Sequence, residues 1–342
     1  MKPLNKVLTI SFSLLALLSC NSGGGKKDTV TETPLPPPPT SSTTTFNLGV
    51  SDAPVDNAEA VVITIDSITF SGDGLEDVVF ETFNNEAEGL IDEETVTIDL
   101  LQFQGSGQFT ILENAEIPPG TYEQAIIKVL DENIDLSYVT ETGGENKSIK
   151  VPSDNLKLGS VTFNEGAEAM AFTVEFSLRK SMTYKPGPDE YNLKPRGVRI
   201  VNNDNTGTVS GIVDVDVINQ DISCLADSHL IYLYSGIGLD ADNLADGFDS
   251  DETNNGAPES AIAPFDVIAP SYDDESASYL YEFGFVPSGD YTIAYACNTG
   301  EEGDDPDVFD GIGIPYSEAQ LTEITVVDSM ATSVDFPIIP ST

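Results

Sequence analysis

Apolar and polar residues alternate with a period of two over much of this 342-residue chain. Phe46, Leu48 and Val50 open the series and Val61, Ile63 and Ile65 repeat it. Ile68 and Phe70 then resume it in the opposite phase, which predicts a bulge near Asp66 and Ser67. Further candidate strands follow at Val96, Ile98 and Leu100, at Ala125, Ile127 and Val129, and at Phe172, Val174, Phe176 and Leu178, the cleanest alternation in the chain. No long stretch has helical period. Turn-forming clusters at Ser71 to Gly74, Asn84-Asn85, Gly143-Gly144 and Pro186 to Pro188 separate the runs.

Many short strands with frequent turns predict an all-β chain of two tandem antiparallel β-sandwich domains, over 46–202 and 207–342. The boundary falls where Asn202 to Gly207 interrupts two strand-like runs. Val209, Gly211, Val213, Val215 and Val217 open the second unit. Candidate strands follow at Leu230 to Tyr234, Tyr279 to Phe285, Tyr291 to Ala296, Ile324 to Val327 and Val334 to Phe336. The interval Gly236 to Asp274 is long for a hairpin connection and reads as functional or partly disordered. One pattern occurs twice, Ile117-Pro-Pro-Gly-Thr-Tyr122 and Val286-Pro-Ser-Gly-Asp-Tyr291. Each reads as a turn entering a strand, with Pro setting φ, Gly taking a conformation other residues resist, and the Tyr ring lying against the sheet.

The amino terminus has a different pattern. Lys2 and Lys6 precede an apolar run from Val7 to Leu18, too short for the ~20 residues that span a bilayer, so residues 1–19 read as a signal peptide. Leu17-Leu18-Ser19-Cys20 resembles the lipobox of bacterial lipoproteins, which implies cleavage before Cys20 and diacylation of its sulfur by palmitate-type chains. Cleavage by an ordinary signal peptidase is the alternative. Residues 20–45 form a Gly/Thr/Pro-rich linker that cannot bury a core. With Asn21 rather than Asp after the cysteine, the resemblance to Gram-negative lipoproteins implies a lipid anchor in the outer membrane, on either face.

Charge narrows the partners. Fourteen Lys and Arg stand against 58 Asp and Glu, for a net charge of −44, and no Lys or Arg follows Arg199. Such an excess repels nucleic acid and anionic lipid headgroups, and it predicts that stability rises with salt or divalent cations. Adaptation to a saline habitat is an equally simple origin for the charge. After Cys20 only Cys224 and Cys297 remain. In an exported protein they are candidates for a disulfide, worth ~4 kcal/mol for a loop of roughly seventy residues, with two free buried thiols as the alternative.

Candidate chemistry is sparse. His229 is the lone histidine, which removes most support for Ser-His-Asp catalysis and for histidine-rich metal sites; it reads as a surface or strand-end residue. No phosphate-binding Gly-rich loop with its Lys is present. Carboxylates are so numerous that a glycosidase-like pair carries no information, and Trp is absent. Arg179, Lys180, Arg196 and Arg199 stand out among so few cations and read as structural ion-pairing partners for acids such as Asp52 or Asp66. An anion-binding patch is the sharper alternative. Asp240, Asp242, Asp246, Asp249, Asp251 and Glu252 crowd one loop, and Asp304, Asp305, Asp307 and Asp310 another. These could supply the six to eight oxygens that calcium takes, though not in EF-hand order; a solvated acidic loop is the alternative.

Ser51-Asp-Ala-Pro54, Val61-Val-Ile-Thr-Ile-Asp66, Pro119-Gly-Thr-Tyr122, Phe176-Ser-Leu-Arg-Lys-Ser181 and Tyr191-Asn-Leu-Lys-Pro195, as an ordered set, resemble the bacterial lipoprotein family known as domain of unknown function 4382, over about Phe46 to Val201. The resemblance implies an exported lipoprotein without an assigned activity. Gly207-Thr-Val-Ser-Gly-Ile-Val213 through Tyr291 is similar, more loosely, to carboxypeptidase-regulatory-like, transthyretin-like sandwich modules, which are not catalytic. The function expected is therefore a non-enzymatic interaction or scaffolding module of the cell envelope with a protein or matrix partner, calcium being a candidate cofactor. A small-ligand-binding lipoprotein and a carboxylate-based hydrolase are the rivals. An enclosed pocket would favour the first rival and a perturbed carboxylate pair in a cleft the second.

Overall fold

The computed structural model describes residues 42–53, 58–166, 168–219, 229–250, 254–297, 308–309, 311, 314 and 320–337. Cys20, Cys224 and Asp251 lie outside them, as do Glu252 and the acidic run 304–307 with Asp310. Ser41–Thr342 form one compact unit. α-Helix among the described residues is confined to two short turns, Leu178–Ser181 and Val215–Asn219.

The described strands make four sheets. In the amino-terminal half a six-stranded sheet is centred on Thr44–Ala53, flanked by Met170–Ser177 and Phe109–Ile117. It faces a nine-stranded sheet built around the long strand Ala58–Ser71. In the carboxy-terminal half Thr206–Val213 and Ser278–Pro287 lead one four-stranded sheet, and Leu230–Ser235 and Gly289–Ala296 the other. Strand pairings among the described residues stay within each half. Most are antiparallel; the parallel pairs are Thr44–Ala53 with Met170–Ser177, Thr206–Val213 with Ala331–Ser333, Asn146–Lys150 with Glu190–Leu193, and Phe83–Asn85 with Phe109–Ile117.

The inward faces are the ones the alternation marks. Phe46, Leu48, Val50, Val61, Ile63, Ile65, Ile68, Phe70, Ala125, Ile127 and Val129 are all buried in the first core. Its centre is aromatic, with Phe46 packed on Phe163 at 4.9 Å and edge-on to Phe70 at 5.8 Å. The phase change at Asp66 is a register shift between Ile65 and Ser67 against Gly120–Val129, as expected for a bulge. Both repeated turns adopt one geometry: Gly120 and Gly289 each have φ of 155°, and the Tyr122 and Tyr291 hydroxyls donate to the carbonyls of Pro118 and Pro287 at 3.0 and 2.8 Å. Each tyrosine thus pins its own hairpin corner, a structural duty.

Three readings change. Val215 and Val217 continue no strand, because Asp214 caps a helical turn, accepting the Asp216 amide on its side chain and the Val217 and Ile218 amides on its carbonyl. Leu178 begins a helical turn instead of extending its strand, and Ser181 Oγ donates to the Ser177 carbonyl. His229 sits at the strand end as expected, yet it is buried, with Nδ1 2.6 Å from the Tyr295 hydroxyl. The boundary after Asn202 is only a three-residue turn, Asn203–Asn205, capped by Asn202. A connection that short leaves little slack between the halves.

Candidate functional site

The strand Met170–Ser177 carries the chemistry. Its apolar residues Phe172, Val174 and Phe176 face the first core, while Thr173, Glu175 and Ser177 alternate with them and are buried as well. A strand at the surface of a lone sandwich would present those three to water. Here Thr173 Oγ1 donates to Gln108 and Asn203 at its own end of the chain, while the second half reaches Ser177 and the Arg199 guanidinium beside Glu175.

Asp266, in the Asp266–Ile268 strand, is the residue that Ser177 and Arg199 meet. It is 1% exposed; Ser177 Oγ donates to its Oδ1 at 2.6 Å and Arg199 Nη2 to its Oδ2 at 3.1 Å. Arg199 also lies 4.0 Å from Glu175 Oε1 and stacks over the Phe265 ring at 4.6 Å, a cation–π contact in a place nearly closed to water. Lys180 Nζ donates to the carbonyls of Pro264 and Phe265 at 3.0 and 2.7 Å, and Arg196 Nε donates to the Lys180 carbonyl at 2.9 Å. Three of the scarce cations, Lys180, Arg196 and Arg199, thus meet at one seam.

Their proton affinities are displaced accordingly. Burial pushes the Glu175 carboxyl up to about 8; the Arg199 guanidinium pulls it down and the Asp266 carboxylate pushes it further up. Burial likewise lowers the Lys180 ammonium to about 8 against the attraction of Asp266. At neutral pH Glu175 is therefore mainly protonated and Asp266 is the anion that Arg199 sees. Glu175 is a strongly perturbed carboxyl and is 1% exposed.

A second seam begins at Ser51-Asp52. Ser51 Oγ lies 3.2 and 3.1 Å from the Phe103 and Gly105 carbonyls, the Asp52 amide donates to Phe103, and the Gly105 amide returns to the Asp52 carbonyl. This zips the 103–105 loop to the strand end and aims it at the second half. There the Ser106 amide donates to Glu282 Oε1 at 2.7 Å, and a Cβ on Gly284 would stand 1.9 Å from the Gly105 oxygen, so the two backbones touch. Beside that contact lies a groove of roughly 580 Å³, lined by Gly105 from the first half and by Ile212, Leu280, Glu282 and Asp335 from the second.

Of the residues singled out in the sequence, Lys180, Arg196 and Arg199 converge on the junction, while Asp66 pairs instead with Lys128 at 2.8 Å. Asp52 is buried at the second seam. Arg179 lies in the helical turn Leu178–Ser181. The acidic loop divides. Asp240 caps the turn Ala241–Asn243 by accepting the Asp242 amide, and Asp242 is exposed. Asp246 and Asp249 are buried, and the Asp249 charge acts on Lys180. Among the described residues no group of three or more His, Cys, Asp or Glu is placed to hold a metal ion. Cys297 is buried just after Gly289–Ala296. Glu175, Ser177 and Asp266 escaped the sequence reading. Their signal was a polar residue at each outward position of an otherwise apolar strand, and one Asp after Pro264-Phe265 within an acid-rich interval.

No curated protein matches the chain. Among solved structures it is similar to the Bacillus anthracis TIE protein, at 9% identity and a TM-score of 0.18 over 86% of this chain, which spans a third (33%) of that one. GBS52, the minor pilin of Streptococcus agalactiae, is 10% identical with a TM-score of 0.18, covering 87% of this chain and 100% of its own. A putative adhesin from Bacteroides ovatus is 9% identical with a TM-score of 0.18, covering 94% and 100%. Likenesses this faint say nothing about activity. Residues 43–195, which hold Ser51, Asp52, Ser177, Arg179 and Lys180, match the family described as Domain of unknown function (DUF4382).

Proposed function

We propose that the chain is an exported lipoprotein, tethered through Cys20 to the outer membrane, whose folded part is a non-enzymatic interaction or scaffolding module of the cell envelope. The observation that carries this reading is where the scarce cations are placed. Lys180, Arg196 and Arg199 lie at the junction between the two halves, and Lys180 and Arg199 hold groups of the second half. A protein that acted on an anionic substrate would keep such groups in an open cleft. Two sandwiches in one compact unit behind a Gly/Thr/Pro-rich linker suit presentation of a surface at a distance from a membrane. The carboxy-terminal half, read as a transthyretin-like module, would share the Cys224–Cys297 disulfide, which suits an exported fold. Calcium held by the Asp240 to Asp251 loop belongs to the same reading, and calorimetric titration before and after chelation tests it.

The deciding experiment is mass spectrometry of the mature amino terminus, with membrane fractionation, in a Gram-negative host. The expected product begins at a diacylglyceryl Cys20 in the outer-membrane fraction, and a Cys20→Ala variant loses it. An unmodified start beyond Cys20 in the soluble fraction would overturn the tether. The groove's volume lies within the ~300–1,000 Å³ typical of small-ligand sites, but with Leu280 and Ile212 36% and 40% exposed it is open, so the small-ligand reading ranks second.

A further inference from the structure

The outer face of the sheet led by Thr206–Val213 and Ser278–Pro287 is a groove with a defined pattern of side chains. Strand register sets Ser271, Leu280 and Ile212 in one cross-strand row, and Glu282, Ser210 and Ser333 in the next. Cross-strand partners share a face, so both rows point outward together. Leu280 and Ile212 are 36% and 40% exposed, a bare aliphatic pair at the centre.

Carboxylates flank that pair. Asp335 Oδ1 accepts the Ile212 amide at 2.9 Å, and Glu282 Oε1 accepts the Ser106 amide at 2.7 Å. Each is fixed through one oxygen to a backbone N–H, so both are preorganised. A second hollow of roughly 260 Å³ shares Ile212 and Asp335 and continues past Asp214 and Val215, which makes the whole elongated. No basic residue lines either hollow, and none follows Arg199 in the chain to supply a counter-charge. The wall belongs to the other half: Gln104 and Gly105 stand over the groove, held by Ser51 and Asp52.

An exposed aliphatic centre between anchored acids, elongated along a sheet, complements a chain that alternates cationic and apolar side chains. A phosphate, a nucleic acid or an acidic peptide is repelled. A simple metal ion makes no use of Leu280 and Ile212. We propose that this groove binds an extended, Lys- or Arg-bearing apolar segment of a partner protein. The proposal deepens the interaction-module reading and rests on it for the partner, but the binding itself needs no membrane anchor.

The test uses the mature chain and a fluorescent, amidated Lys-Leu-Lys-Leu-Lys-Leu peptide, with anisotropy as the readout. The peptide is expected to bind, with affinity falling at least tenfold for E282Q/D335N and also for I212S/L280S. Both acid replacements keep an acceptor for their backbone amides and both apolar positions are exposed, so unchanged thermal melts are expected. Glu323, exposed in the opposite sheet with Oε1 accepting the Gly238 amide, is the control: E323Q should bind as the parent does. Absence of binding would overturn the proposal, as would equal loss in E323Q, which signals diffuse charge attraction. Equal binding of a Lys-Ser-Lys-Ser-Lys-Ser peptide, or displacement by spermidine at matched charge, would overturn it in favour of a small polycation site. Failure here with Cys20 acylation intact leaves the tethered module standing, whereas peptide binding without acylation overturns the tether alone.

Discussion

Replacing Asp266 by Ala should cost ~3–5 kcal/mol, far more than one hydrogen bond, because it leaves a buried cation without its anion. The magnitude follows from the partners. Asp266 accepts from Ser177 Oγ, Arg199 Nη2 and the Val267 amide, and bonds to an ionised group contribute ~1.5–3 kcal/mol each. Glu175 is a nearby acid that could take over, 4.0 Å from Arg199, yet burial holds it protonated at neutral pH. The loss should therefore shrink above pH 8. With Asp266 gone, Glu175 loses a like charge, ionises more readily and meets Arg199. Urea unfolding followed by tyrosine fluorescence and circular dichroism measures this at pH 6 and pH 9, the chain having 12 Tyr and no Trp. A cycle with Arg199→Met should return a coupling of ~2 kcal/mol. A loss below ~1 kcal/mol, or losses that add without coupling, would refute the charge lock.

Three more outcomes follow from the same geometry. Glu175 has a folded pKa raised from 4.5 to about 8, so its contribution is fully present below pH 4.5 and is lost as pH rises through 8; Glu175→Gln should flatten that decline in a pH series of urea midpoints. Gly284→Ala drives a methyl into the Gly105 carbonyl, and should lower stability by ~1–3 kcal/mol and split a single thermal transition into two if the seam opens. Tyr122→Phe and Tyr291→Phe each remove one hydroxyl bond to a proline carbonyl, at ~1 kcal/mol apiece by chemical denaturation; a loss in only one would show that the two corners differ.

Much of the fold was written in local pattern. Period-two runs of Phe, Val, Ile and Leu identify strands because a pleat sends alternate side chains to opposite faces, and that rule needs no knowledge of neighbours. The bulge at Asp66 and Ser67 and the paired Pro-x-Gly-x-Tyr corners were legible for the same reason: a phase change or a positive φ is a local demand. The scarcity of cations singled out Arg199 and Lys180, but not the groups of the second half that they meet.

What the chain alone could not disclose is which polar faces meet. Glu175 and Ser177 occupy positions that alternation assigns to water, and they are buried only because another sandwich, following a three-residue turn, lies on them. Asp266 sits 67 residues from Arg199 in sequence, in an interval that composition marks as acidic and loose. Its pairing depends on how two sheets pack, a matter of long-range shape. The groove has the same origin. Its floor comes from the register of Thr206–Val213 against Ser278–Pro287, and its wall from a loop held by Ser51 and Asp52, whose Ser106 is 176 residues from Glu282 in sequence. Alternation determines which side of a strand is apolar, and only tertiary packing decides whether the other side meets solvent, a partner or its own chain.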